Sequence, residues 1–219
     1  AMSLSENGRF LIAGAFALSA ETGSINVFEL AENKIIQRGT IIGAAYSERF
    51  GSSVKISNDG NTIAVSAPDP NGRYDTKSGS VRIYKFKNNN WDQIGKDIKG
   101  EKEQDSFGRS ISISGDGSII AIGAPNNDTF RGHVRVYKNN NGSWTQLGKD
   151  IDGLKERDQF GNSVSLSDDG KYLAVGSHYA DDEGFVRVFN FKNNNWIQIA
   201  KGISRGNTDT DGVELKLSE

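Results

Sequence analysis

The sequence predicts an all-β chain: a β-propeller of four-stranded antiparallel blades, four in number. Three observations carry this. The first is a fourfold repeat. Ser165-Leu166-Ser167-Asp168-Asp169-Gly170 runs into Tyr172-Leu173-Ala174-Val175-Gly176, and the same phrase occurs as Ser112–Gly117 into Ile119–Gly123, Lys55–Gly60 into Thr62–Ser66, and Ser3–Gly8 into Phe10–Gly14. The turn glycines at 8, 60, 117 and 170 set a spacing of 52, 57 and 53 residues, a period of repeat architectures. The second is that each unit reads as four short strands joined by glycine and asparagine turns. The third is that no stretch sustains the 3.6-residue apolar spacing of a helical solenoid.

The last full unit justifies each strand in order. In Asn162–Ser167, Val164 and Leu166 alternate with serines, the pattern of a half-buried strand. Asp169-Gly170 supplies a tight hairpin turn. Tyr172–Ser177 is a second strand, apolar on both faces as a strand between two layers must be. After the loop His178–Gly184, Phe185–Phe191 is a third strand with β-branched Val186 and Val188. Asn193-Asn194-Asn195 turns the chain, since asparagine tolerates left-handed angles, and Trp196–Ile199 opens the fourth. Four-stranded meanders repeated about every fifty residues read as propeller blades. A sixteen-strand sandwich would leave the repeat unexplained, and a β-helix would need shorter coils. The expectation is one domain over 1–219, with blades at about 1–49, 50–106, 107–159 and 160–211. Residues 212–219, of which 212–218 match 161–167 in pattern, would form a closing strand. The N-terminal Met2–Ser5 has the same pattern, so the two ends compete for, or share, one place; a monomer or a strand-swapped oligomer follows.

Composition narrows the function. The net charge of −2 gives no pull toward nucleic acid or anionic lipid. No apolar run approaches 18 residues, so no membrane insertion is expected. Residues 1–8 lack a signal-peptide pattern. Cysteine is absent, which removes disulfides and thiolate chemistry.

Phe107-Gly108 followed by Gly123-Ala124-Pro125, Phe50-Gly51 by Ser66-Ala67-Pro68, and Phe160-Gly161 by Gly176-Ser177 resemble the FG-GAP repeats of integrin-α-type propellers. A second resemblance, to WD repeats, lies in Asp169–Ala174 and Val186–Phe189, but the period is longer and the Trp-Asp ending is missing. Both families imply a propeller. The FG-GAP resemblance further implies an extracellular or cell-surface setting, and Asn127-Asp128-Thr129 and Asn141-Gly142-Ser143 are glycosylation acceptors if the chain is made in a eukaryotic secretory pathway.

Two connections per unit are short and uniform. Two are longer and variable: those after the second strand (15–23, 67–79, 124–132, 177–184) and those between blades (43–49, 100–106, 153–159, 202–211). In an up-and-down blade both variable sets emerge at one end, where grafted function is expected. On that rim Tyr74, Phe130, Arg131, His178, Tyr179, Asp181 and Asp182 are the candidate ligand-binding residues, suited to a protein or carbohydrate ligand. Local packing over loop backbone is the competing reading for Tyr74 and Phe130.

The FG-GAP resemblance also raises calcium, held in that family by an Asp-x-Asp-x-Asp-Gly-like loop. Here the turns read Ser-Glu-Asn-Gly, Ser-Asn-Asp-Gly, Ser-Gly-Asp-Gly and Ser-Asp-Asp-Gly, with too few carboxylates for a good site. Asp209 and Asp211 are the nearest approach to metal ligands, and no cofactor is expected. Asp105, Asp158 and Asp209 should bond loop amides and fix blade entry. Arg82, Arg135 and Arg187, at one position of the third strand, suggest packing or an interblade ion pair, and Trp91, Trp144 and Trp196 mark the outer strands as apolar wedges. With His133 and His178 the only histidines and no nucleophile elbow or phosphate loop, a non-catalytic recognition or adhesion module is expected. The alternatives are a structural repeat domain of a surface or secreted assembly, and a glycan-active propeller enzyme.

Overall fold

A computed structural model describes residues 1–16, 22–44, 48–68, 78–178, 184–199 and 203–204. Its strands form four antiparallel sheets in simple sequence order. The first contains β1 (Met2–Leu4), β2 (Phe10–Ala15), β3 (Ser24–Ala31) and β4 (Lys34–Ile42). The second contains β5 (Val54–Ile56), β6 (Thr62–Ala67), β7 (Ser80–Lys87) and β8 (Asn90–Gln93), with β9 (Ile98–Lys99) also on β7. The third contains β10 (Ser110–Ile113), β11 (Ile119–Ala124), β12 (His133–Asn140) and β13 (Ser143–Gln146), with β14 (Ile151–Asp152) on β12. The fourth contains β15 (Ser163–Leu166), β16 (Tyr172–Ser177), β17 (Phe185–Lys192) and β18 (Asn195–Gln198), with β19 (Ile203–Ser204) on β17. The four strands predicted for each blade are present, but among the described residues the expected sixteen become nineteen. In blades two to four the outer strand is in two pieces on the same partner; in blades two and three the chain turns out of the ladder between them, at the left-handed Gly95 and Gly148. The first blade keeps one long outer strand, with a bulge at Val27/Phe28. The closing segment 212–219 lies outside the described residues. Among those described, no helix is long and apolar enough to cross a membrane.

The first hairpin is built alike in every blade. In the second blade Ser57 Oγ donates to Asp59 Oδ1 at 2.6 Å and accepts from Thr62 N–H, while Asn61 N–H donates to the same carboxylate at 2.9 Å. Ser114/Asp116 and Ser167/Asp169 repeat the network, and Ser5/Asn7 does so with an amide in place of the acid. These carboxylate oxygens serve the turn. Hydrogen bonds from Lys171 N–H and Ser167 hold the Asp169 carboxyl at about 2. The asparagine turns take the left-handed angles expected, at Asn88, Asn89, Asn193 and Asn194.

Three hydrophobic seams join the four blades. At each, the FG phenylalanine is the anchor: Phe50, Phe107 and Phe160 are fully buried. The glycine after it turns left-handed and lies against the preceding blade. Gly161 N–H donates within its own blade to Gly176 O, while a Cβ on Gly123 of the preceding blade would stand 2.0 Å from Gly161 O. The motif is therefore a blade-to-blade joint, with phenylalanine for area and glycine for close approach. Tryptophan makes a second joint farther out. Trp144 Nε1–H donates to Ile94 O at 3.1 Å and Trp196 Nε1–H to Leu147 O at 2.9 Å, each reaching back to the preceding blade; Trp91 packs against Gly39 in the same sense. The first strand of blade one differs. Met2 and Leu4 hold the places of Val54 and Ile56 but are 76% and 53% exposed, against 2% and 6%.

Candidate functional site

Where they are described, the two variable sets of connections meet at one end of the blades. Asn126 N–H donates to Asp105 O, Gln159 N–H to Phe130 O, Phe160 N–H to Arg131 O, and His178 N–H to Asp158 O. Phe130, Arg131 and His178 therefore all tie to the segment 158–160 between blades three and four. Tyr74, Tyr179, Asp181 and Asp182 lie outside the described residues, as do the metal candidates Asp209 and Asp211.

The loop bearing Phe130 is strained. Asp128, Thr129 and Phe130 have φ of 48°, 59° and 62°, a left-handed run costly for any L-residue and most of all for β-branched Thr129. Its backbone is pinned by Phe130 N–H to Asn126 O, Gly132 N–H to Asn127 O and Gln159 N–H to Phe130 O. Arg131 ion-pairs with Asp128 at 3.1 Å, and its Nε is buried without a hydrogen-bond partner. This scaffold leaves Phe130 47% exposed.

Beneath the rim lies a belt of ion pairs centred on the recurrent arginines. Arg82 donates to both oxygens of Glu48 at 2.9 and 2.8 Å and from Nε to Asp97 at 3.0 Å. Arg135 donates from Nε and Nη2 to Asp150 and also pairs with Glu101. Gln93 and Gln146 hold the aspartates from the other side. For Arg82 the Glu48 bonds raise the guanidinium pKa further. For Arg135 burial opposes, but the bonds to Asp150 and Glu101 prevail. Burial alone would raise Asp97 and Asp150; the glutamine and arginine bonds outweigh it and hold both low. Asp105 and Asp158 accept from the loop amides of Lys102, and of Leu154 and Lys155, as the sequence suggested.

Arg187 keeps the position but not the partners. Its Nε–H donates to Gln198 Oε1 at 2.9 Å and its Nη1–H to the backbone carbonyl of Asp152 at 2.8 Å, with no described carboxylate in ion-pair contact. The rings of Phe160 and Phe189 flank it, each centroid 4.9 Å from Cζ. Burial lowers its pKa, opposite to the other two.

Sequence reasoning identified the arginines and missed their acids. The signal was present: Lys96-Asp97-Ile98 and Lys149-Asp150-Ile151 recur, and Lys201-Gly202-Ile203 breaks the series. His133, Glu101 and Asp150 bring ligand-type atoms within 4.8 Å of one another. Arg135 already donates to both carboxylates, so the cluster works as an ion-pair knot.

The four sheets define a β-propeller-like repeat domain. The FG-GAP repeat family matches residues 100–143 and 151–189, the first three strands of the third and fourth units with the loops that lead into them. No curated protein matches the sequence. Among solved structures, a provisionally named 6-phosphogluconolactonase from Bacteroides fragilis shares the fold at a TM-score of 0.62 and 17% identity, covering 94% of this chain and 54% of its own. TolB from Acinetobacter baumannii follows at 0.54 and 17%, covering 94% and 44%. A provisionally named 6-phosphogluconolactonase from Bacteroides uniformis stands at 0.51 and 13%, covering 90% and 69%. This chain thus spans about half the length of the first two. At such identities the likeness is one of fold.

Proposed function

We propose that the protein is a non-catalytic recognition module that binds a protein or glycan ligand on its loop-rich face, in an extracellular or cell-surface setting. The observation that carries this reading is the exposed Phe130 on a strained but pinned left-handed turn. Strain of this kind is kept where the surrounding structure holds a side chain for a purpose, and a rigid aromatic anchor is the commonest centre of a binding surface. The absence of catalysis is supported by the acids beneath the face. Glu48, Asp97, Glu101, Asp105, Asp150 and Asp158 are engaged by guanidinium or amide groups, which leaves them ill-suited to general acid–base work. The extracellular setting rests on the FG-GAP resemblance.

The test is a glycan array and a peptide display screen on the intact chain, followed by Phe130→Ser. Loss of a central aromatic anchor costs at least about 2 kcal/mol, roughly 30-fold in Kd. A ligand that Phe130→Ser binds as tightly as the parent does would move recognition off this rim. Turnover of an arrayed glycan would replace the reading with the enzymatic one.

A further inference from the structure

The three arginines of the third strands form an internal comparison. Two guanidiniums are met by acidic side chains of the protein itself, Glu48 with Asp97 and Glu101 with Asp150. In the fourth blade Gly202 stands in register with Asp97 and Asp150, and Leu154 with Glu101; Asp158 keeps the place of Glu48 but accepts from the amides of Leu154 and Lys155 and makes no ion pair with Arg187. Gln198, whose counterparts Gln93 and Gln146 donate to the aspartates, instead turns its carbonyl oxygen to Arg187. Arg187 is as buried as its siblings, at 9% exposure. Among the described residues only neutral oxygens hydrogen-bond Arg187, and the carboxylates of Asp158 and Asp152 act on it from beyond ion-pair distance; a guanidinium buried in this way is a costly arrangement, and the flanking Phe160 and Phe189 rings fix its plane.

We propose that Arg187 is a carboxylate receptor just beneath the rim of the fourth blade, filled by an acidic side chain of a protein ligand as Asp97 and Asp150 fill the equivalent places from within. Arginine's fork matches a carboxylate in two parallel hydrogen bonds. Nη2 and the remaining protons of the guanidinium supply it without displacing the bond to Asp152 O. Because the sibling sites hold aspartate and glutamate, the receptor's geometry suits a protein carboxylate. The proposal rests on the loop face being the recognition surface and narrows its ligand.

The experiment titrates the intact chain with sodium acetate against sodium chloride at equal ionic strength. It follows the Arg187 Nε–H resonance and the melting temperature in the parent, Gly202→Asp and Arg187→Gln. The parent is expected to show a saturable shift of that resonance and a Tm rising with acetate. Gly202→Asp, which restores the sibling acid, is expected to be about 2–4 °C more stable and blind to acetate. Arg187→Gln should lose the acetate response in Tm; if it fails to fold, Gly202→Asp carries the test alone. An acetate response equal in the parent and Gly202→Asp, or none in the parent, overturns the receptor. A blocked aspartate dipeptide is expected to compete with acetate at lower concentration. Glucuronate outcompeting that dipeptide would assign the site to an acidic sugar and overturn the proposal as stated. Acetate failing to bind leaves recognition through Phe130 untouched, whereas Phe130→Ser without effect on ligand leaves the acetate result standing, so the two failures are distinct.

Discussion

A buried histidine beside an arginine behaves unlike one on a surface. His133 opens β12 at 1% exposure, with its Nδ1 4.0 Å from Asp150 and its Nε2 unpartnered. Burial and the nearby Arg135 lower its pKa below the ordinary 6.5, while Asp150, Asp105 and Glu101 pull the other way and lose. The folded state therefore keeps the imidazole neutral where the unfolded chain would bind a proton. The stability this represents is complete above about pH 6.5 and is lost as pH falls below it, at no more than about 1.4 kcal/mol per pH unit. Melting between pH 7.5 and 5 should show a falling Tm that Phe at position 133, the residue the fourth blade carries at Phe185, flattens. An equal slope in H133F would show that other groups set the acid response. The histidine was visible in the sequence, but its burial was not: the siblings at its position, Ser80 and Phe185, share no chemistry with it, so no pattern announced what surrounds it. The turn acids were legible for the opposite reason. Ser-x-Asp-Gly occurs three times, once more with asparagine, and a network within six residues needs no knowledge of the rest of the fold.

Among elements, β1 and β5 are the same strand in sequence and different strands in their surroundings. Leu4 is exposed where Ile56 is packed under Phe10 and Ile12. Ile56→Ala should cost about 2–4 kcal/mol, the usual toll of a large-to-small change in a core, and Leu4→Ala within about 0.5 kcal/mol of nothing. Urea midpoints measure both. A Leu4→Ala loss approaching that of Ile56→Ala would mean that the face of the first blade is covered in solution. The strands themselves could be read from alternation and turn residues, and Tyr172–Ser177 falls on its predicted bounds. The broken outer strands could not. Whether Gly95 bends the ladder depends on the Trp144 ring from the next blade lying 3.2 Å from where its Cβ would be, a contact between residues about fifty apart. The rim residues were only partly legible: loop variability pointed to Phe130, Arg131 and His178, and the backbone that holds Phe130 outward became visible only in three dimensions.

Among the described residues the four blades are joined by three seams, with stability close to a sum of blades and nearest-neighbour interfaces. The seams are not symmetric in what each side contributes. The FG phenylalanine and the outer tryptophan belong to the later blade, and their seats to the earlier one. Residues 1–159 keep Phe50, Phe107, Trp91 and Trp144 seated, and should unfold cooperatively in urea. Residues 50–219 have the same number of whole blades, yet lose the seats of Phe50 and Trp91 on the first blade. They should be the less stable piece by several kcal/mol, since two large aromatics become uncovered. Equal midpoints for the two pieces would refute the asymmetry.

A chain leaves the ribosome with its N-terminus first, at about 5–20 residues per second, so a unit of some fifty residues emerges every few seconds. The FG phenylalanines and the outer tryptophans of the described seams all reach backward. When Phe107 and Trp144 emerge, the pockets that receive them have already been made, and no anchor of a described seam waits exposed for a partner still to be translated. The direction in which the aromatic joints point thus matches the direction of synthesis, and each blade can be secured as it appears.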